Sequence, residues 1–137
     1  MSNFDGFDTP EHFDELICPE DEMTLDEYQD EATKFAFYKD SVVYPALGLT
    51  GEAGEVAEKI KKLMRDQDID FQDDDASEQI DADDAYEIAK EISDVLWYAA
   101  NLANDIGYSL EEIAMINLLK LSSRKERNQL SGSGDNR

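Results

Sequence analysis

Four acidic side chains stand in two pairs of equal spacing, Glu52 with Glu55 and Glu91 with Asp94. On a helix, residues three apart share a face with Cβ atoms about 5–6 Å apart, so each pair can present two carboxylates from one rigid platform. Brought together, the pairs would form an all-oxygen nest, the donor set that suits Mg2+, with Mn2+ as a substitute. Four crowded carboxylates repel one another, and a cation relieves that repulsion. Such a site suits metal-assisted attack of water on a phosphate compound. A di-iron bundle would need Glu-x-x-His pairs, and no histidine follows His12. The same spacing also describes ordinary solvated helix faces, and this chain holds 34 acids.

Other chemistries find less support. Cys18 is the only cysteine and His12 the only histidine, six residues apart in an acidic segment, a poor start for a nucleophile and base. Asp66, Asp68 and Asp70 open like a calcium loop, but Phe71 stands where that loop needs glycine and Ser77 where it needs glutamate. Asp73, Asp74 and Asp75 could touch a metal, although their setting reads as a solvated loop.

The elements that must position the carboxylates follow from apolar periodicity. Thr24 and Glu27 make a capping box, and Leu25, Tyr28, Ala32, Phe35 and Ala36 then recur at helical spacing, predicting a first helix to about Tyr38. A second helix runs from Leu47 to about Arg65 on Ala53, Val56, Ile60 and Leu63. Gly48, Gly51 and Gly54 near its start suggest that something approaches closely there. Residues 66–84 form an acidic loop. A third helix runs from about Asp84 to Ile106, with Gly107 as its stop. Ser109 and Glu112 box a fourth, which continues to about Arg127. At about 100° per residue, both acidic pairs lie at the edges of apolar stripes, so packing of those stripes would let the pairs converge.

Amphipathic helices with short connections predict an all-α, four-helix antiparallel bundle. The fourth helix is apolar round most of its circumference (Ile113, Met115, Ile116, Leu118, Leu119, Leu121), more than its own neighbours would cover. That excess points to a second subunit. Residues 1–22 read as an acidic arm with Phe4, Phe7 and Phe13, residues 23–128 as the helical domain, and residues 129–137 as a polar tail.

At 137 residues, the chain fits a single core. Its 41% hydrophobic content contains no run long enough to span a bilayer, so no membrane partner is expected. A net charge of −22 repels nucleic-acid backbones, and a small anionic substrate would need a cation as intermediary. A single cysteine and no apolar leader segment point to the cytoplasm.

The runs Gly51-Glu52-Ala53-Gly54-Glu55-Val56-Ala57-Glu58-Lys59 and Glu91-Ile92-Ser93-Asp94-Val95-Leu96-Trp97-Tyr98 closely resemble the MazG family of nucleotide pyrophosphohydrolases. The resemblance covers residues 24–127. Asn117, Lys120 and Arg124 match the family's Asn-x-x-Lys-x-x-x-Arg stretch, and Asn101 matches a recurrent asparagine. The long acidic linker between the two carboxylate pairs departs from the compact family pattern.

The resemblance implies that Glu52, Glu55, Glu91 and Asp94 ligate Mg2+, that a nucleoside triphosphate is cut to monophosphate and pyrophosphate, and that the protein forms dimers or tetramers. Asn117, Lys120 and Arg124, which fall within about 60° on a helix, would meet substrate phosphates, with Asn101 and Lys59 as further contacts. Gln29 and the aromatics Phe35, Tyr38, Trp97 and Tyr98 are weaker candidates for the base. Two other readings stay open, an acidic helical adaptor or inhibitor for a basic protein and a hydrolase of another pyrophosphate-linked nucleotide such as an alarmone.

Overall fold

The computed structural model describes residues 23–72 and 75–126. These form four helices, α1 (Leu25–Thr33), α2 (Val43–Asp66), α3 (Ala82–Asp105) and α4 (Leu110–Glu126), plus one 3-10 turn at Ala76–Gln79. No strand occurs among the described residues, so the chain is all-α as predicted. The expected arm, Asp73, Asp74 and the polar tail lie outside the described residues.

The capping box at Thr24 forms as read: the Glu27 amide donates to Thr24 Oγ1 at 3.2 Å, and the Thr24 amide donates to Glu27 at 2.8 Å. Helix α1 then ends at Thr33, short of the expected Tyr38. The Trp97 indole donates to the Ala32 carbonyl at 3.1 Å, the acceptor an Ala36 amide would use to continue the helix; Ala36 donates to Thr33 instead. Phe35 and Phe37 consequently lie exposed beyond the helix end.

Helix α2 begins at Val43, earlier than Leu47, with Pro45 in its first turn, where a missing amide costs nothing. Val42 precedes it at φ +65°, a conformation that strains a β-branched residue. The Asp105 carboxylate holds that turn by accepting the Val42 amide at 2.8 Å and the Tyr38 hydroxyl at 3.2 Å. Helix α3 starts on Asp81, which accepts the Asp84 amide at 2.9 Å. It ends as the glycine predicted: Gly107 has φ +82°, Tyr108 donates back to Ala103 at 2.9 Å and Gly107 to Asn104 at 3.1 Å.

Helices α2 and α3 pair antiparallel along their length, from Gln67 beside Asp84 to Val42 beside Asp105. Helix α1 packs on α3 through a core of small residues, Ala32, Ala100 and Ala103, with Leu110 of α4. The first amides of α4 are capped from α1. Leu110 donates to Gln29 Oε1 at 2.8 Å and Glu111 to Asp26 at 3.0 Å. Beyond Leu110, no described residue of α4 is buried, and Met115, Leu118 and Leu119 are 55–66% exposed. Met64 of α2 and Ile92 of α3 are exposed as well.

The 66–84 segment corrects one expectation. It is more than a solvated loop: Ile69 and Ala76 are buried with Leu63, flanked by Phe71, Ile80 and Ile88. This second small core caps the far end of the α2–α3 pair. Its Leu63 lies about 16 Å along α2 from Glu52, at 1.5 Å per residue, while Ile88 at its flank stands one turn before Glu91 on α3.

Candidate active site

Glu52 sits about two-fifths of the way along α2, facing the stretch of α3 that carries Glu91 and Asp94. Each of the three offers a carboxylate oxygen, and these oxygens lie within 4.8 Å of one another. Glu55 is not in this triplet; it is exposed at the rim, one turn on from Glu52. Its charge is felt nonetheless. Partial burial, then the charges of Asp94, Glu91 and Glu55, push the Glu52 carboxyl above the ordinary carboxylate range. A site whose own anions oppose ionisation is one that a hard dication would relieve, and the all-oxygen donor set suits that ion.

Lys59 flanks the cluster. Its ammonium donates to Glu87 Oε2 at 2.9 Å and lies 3.4 Å from Glu91 Oε1, so the lysine expected at substrate phosphates is engaged with the acids themselves. Glu87 was not singled out from the sequence. It lies four residues before Glu91 on the same helix face, a spacing that could have revealed it.

On the other side, Tyr98 bridges to an aromatic cleft. Burial, a hydrogen bond with Tyr44 and the nearby Glu52 and Asp94 charges all raise its pKa. Tyr44 in turn stacks on Tyr38 with centroids 5.0 Å apart, and Tyr38 meets Trp97 edge-on at 6.5 Å. Burial and Asp105 push the Tyr38 hydroxyl up to about 12. Phe35, Phe37, Tyr38, Tyr44 and Trp97 line an open cleft of about 460 Å³. Three of these were weighed from sequence as base contacts; Tyr44 and Phe37 were not. Gly48 explains the fit of Tyr98, since a Cβ on it would lie 2.2 Å from the ring.

Two expected contacts are placed elsewhere. Asn101 is 1% exposed, with Nδ2 donating to the Trp97 carbonyl at 2.9 Å and Oδ1 lacking a partner, so it lies inside the helix packing rather than open to the cluster. Gln29 is committed to structure: its amide nitrogen donates to the Ala100 and Tyr108 carbonyls, each at 3.1 Å, while its oxygen accepts from Leu110. Among the described residues, the backbone of α4 packs near α1 and α3, with no Cα within 8 Å of one in α2. Asn117 is exposed on α4, and Lys120 and Arg124 are half-buried there and hold polar interactions.

With this geometry in view, comparison with known proteins is decisive. The MazG nucleotide pyrophosphohydrolase domain matches residues 45–128, a span that begins in the first turn of α2, ends just beyond α4 and holds both acidic pairs. The chain belongs to the MazG family. It is also 40% identical over 123 residues to the Gene 37 protein of Mycobacterium phage L5, covering 84% of this chain and 100% of that protein. No solved structure matches the chain significantly. Among the described residues, no helix of this MazG protein is long and apolar enough to cross a membrane.

Proposed function

We propose that this MazG-family chain hydrolyses nucleoside triphosphates to the monophosphate and pyrophosphate, using Mg2+ or its substitute Mn2+. The observation that carries the reading is the meeting of Glu52 from α2 with Glu91 and Asp94 from α3 in a chain of this family.

Glu52, Glu91 and Asp94, with Glu55 at the rim, are the residues that would hold the ion. Bound there, it supplies positive charge against the triphosphate and acidifies a water. Glu55, exposed and adjacent, takes the proton of the water that attacks the α-phosphorus. Lys120 and Arg124, with Asn117, neutralise and grip the phosphates. The aromatic cleft, joined to the cluster through Tyr98, offers rings for a base to stack on.

The working form is a homodimer or homotetramer. Helix α4 carries apolar residues round most of its circumference and is largely uncovered, acidic in its first turn (Glu111, Glu112) and basic in its last (Arg124, Lys125). Two copies laid antiparallel along α4 would bury the apolar surface and set opposite charges side by side.

A pyrophosphate-release assay across ribo- and deoxyribonucleoside triphosphates, with and without Mg2+, tests the reading. We expect metal-dependent release that Glu52→Gln and Asp94→Asn reduce at least ~100-fold, the scale of losing one electrostatic element of a site. Full activity in either variant overturns the assignment, and turnover of an alarmone alone would redirect the substrate class.

A further inference from the structure

Lys59 occupies a position the proposed hydrolysis does not use. Its ammonium is shared between Glu87 Oε2 at 2.9 Å and Glu91 Oε1 at 3.4 Å, and its side chain is 28% exposed, against 42% for Glu87 and 19% for Glu91. Glu87 is further balanced by Lys90 one turn on. Glu91 therefore has two neighbourhoods, the carboxylates of Glu52 and Asp94 on one side and a lysine cation on the other.

A cation in that place cannot be neutral to the cluster. Three carboxylates with oxygens inside 4.8 Å of one another repel in the ion-free protein, and a fixed ammonium on one of them offsets part of that cost. The same ammonium repels an incoming dication at that glutamate. Partial burial keeps both effects larger than for a freely solvated pair.

We propose that Lys59 is a positioning residue for the acidic cluster, an internal counter-cation anchored by Glu87 that supports the ion-free fold and competes with the divalent ion for Glu91, rather than a grip on substrate phosphate. The proposal rests on the metal-binding reading of Glu52, Glu91 and Asp94. It assigns Lys59 opposite effects on two measurable quantities. Its removal lowers the stability of the ion-free protein and tightens ion binding. A lysine that merely packs would lower stability without tightening anything. A lysine that grips phosphate would raise KM for the nucleotide and leave ion binding unchanged.

The test is calorimetric titration of Mn2+ into the nucleotide-free full chain, alongside thermal melts in chelator, for wild type, Lys59→Met, Lys59→Gln and Lys59→Arg. Both neutral variants should bind Mn2+ about tenfold more tightly, the size expected for losing one like charge near a dication at partly screened range. Both should melt about 2–4 °C lower without the ion, while Lys59→Arg restores both values. Unchanged or weakened Mn2+ binding in both neutral variants overturns the proposal, as does a failure of either to fold even with Mn2+ present. Glu52→Gln and Asp94→Asn separate the two levels. If these keep wild-type Mn2+ affinity, the metal-binding reading itself fails. If they lose it while the neutral Lys59 variants show no tightening, only the role of Lys59 fails.

Discussion

The ring of Tyr98 lies against Gly48 so closely that a Cβ there would fall 2.2 Å from Cε1. Glycine at this position is a packing requirement, which lets the aromatic bridge between cleft and carboxylates sit flush on α2. Gly48→Ala should destabilise the protein by about 1–3 kcal/mol through overpacking. Tyr98→Ala in the same chain should remove most of that penalty, and a double-mutant cycle by urea unfolding would display the coupling. Additive effects would mean that the two residues do not constrain each other.

Glu52 suffers from its neighbours, so its replacement should separate stability from chemistry. In chelator, Glu52→Gln should melt at or above the wild-type temperature, because a carboxyl raised by burial and then by like charges is relieved when neutralised. Added Mg2+ should raise the wild-type melting temperature and leave that of the variant nearly unmoved. A variant that loses stability in chelator would contradict the repulsion.

Gln29 uses its whole amide to join three backbone groups, two of them at the α3–α4 corner. Gln29→Ala leaves buried partners unsatisfied and should cost about 3–4.5 kcal/mol, at roughly 1–1.5 kcal/mol for each of the three bonds. Denaturant unfolding measures it. A loss below about 1 kcal/mol would place water or another side chain in the gap.

The Asp26 carboxyl is held below its usual range, chiefly by the Glu111 amide it accepts. A depressed pKa means stability present above the ordinary value of 3.8 and lost as pH falls through the lowered one. Asp26→Ala should therefore be less stable than wild type at neutral pH, and the gap should close in acid as the pH falls past 3.8 and through the lowered value. A gap unchanged with pH would show that the charge contributes nothing.

Leu119 is 66% exposed in the isolated chain. Leu119→Asp should shift the protein to monomer in sedimentation equilibrium, since a charge in an apolar contact opposes association. An unaltered mass would move the interface off α4.

Much of this was legible from residue order because it depends on local chemistry. The capping box at Thr24, the glycine stop at 107 and the shared face of each acidic pair are set by spacings of a few residues. The early end of α1 was not legible, because it depends on an indole 65 residues away taking the Ala32 carbonyl. Glu87 and Tyr44 were missed for a related reason. The spacing of Glu87 from Glu91 marks a shared helix face, but its partner Lys59, and the Tyr98 beside Tyr44, come from distant parts of the chain. The acidic linker was misread because composition outweighed two apolar side chains, Ile69 and Ala76, that suffice to pin it. Gln29 shows the converse: a polar side chain that a family pattern suggests for ligand can have its whole amide engaged by backbone groups.

The small cluster around Leu63, Ile69 and Ala76 shares no buried residue with the one around Ala32, Ala100 and Ala103. Two hydrophobic knots at opposite ends of a long helical hairpin can loosen separately. The distal end can therefore loosen or vary in length without disturbing the packing around Ala100, which lets a lengthy acidic stretch stand between the two acidic pairs at little mechanical cost to the other knot.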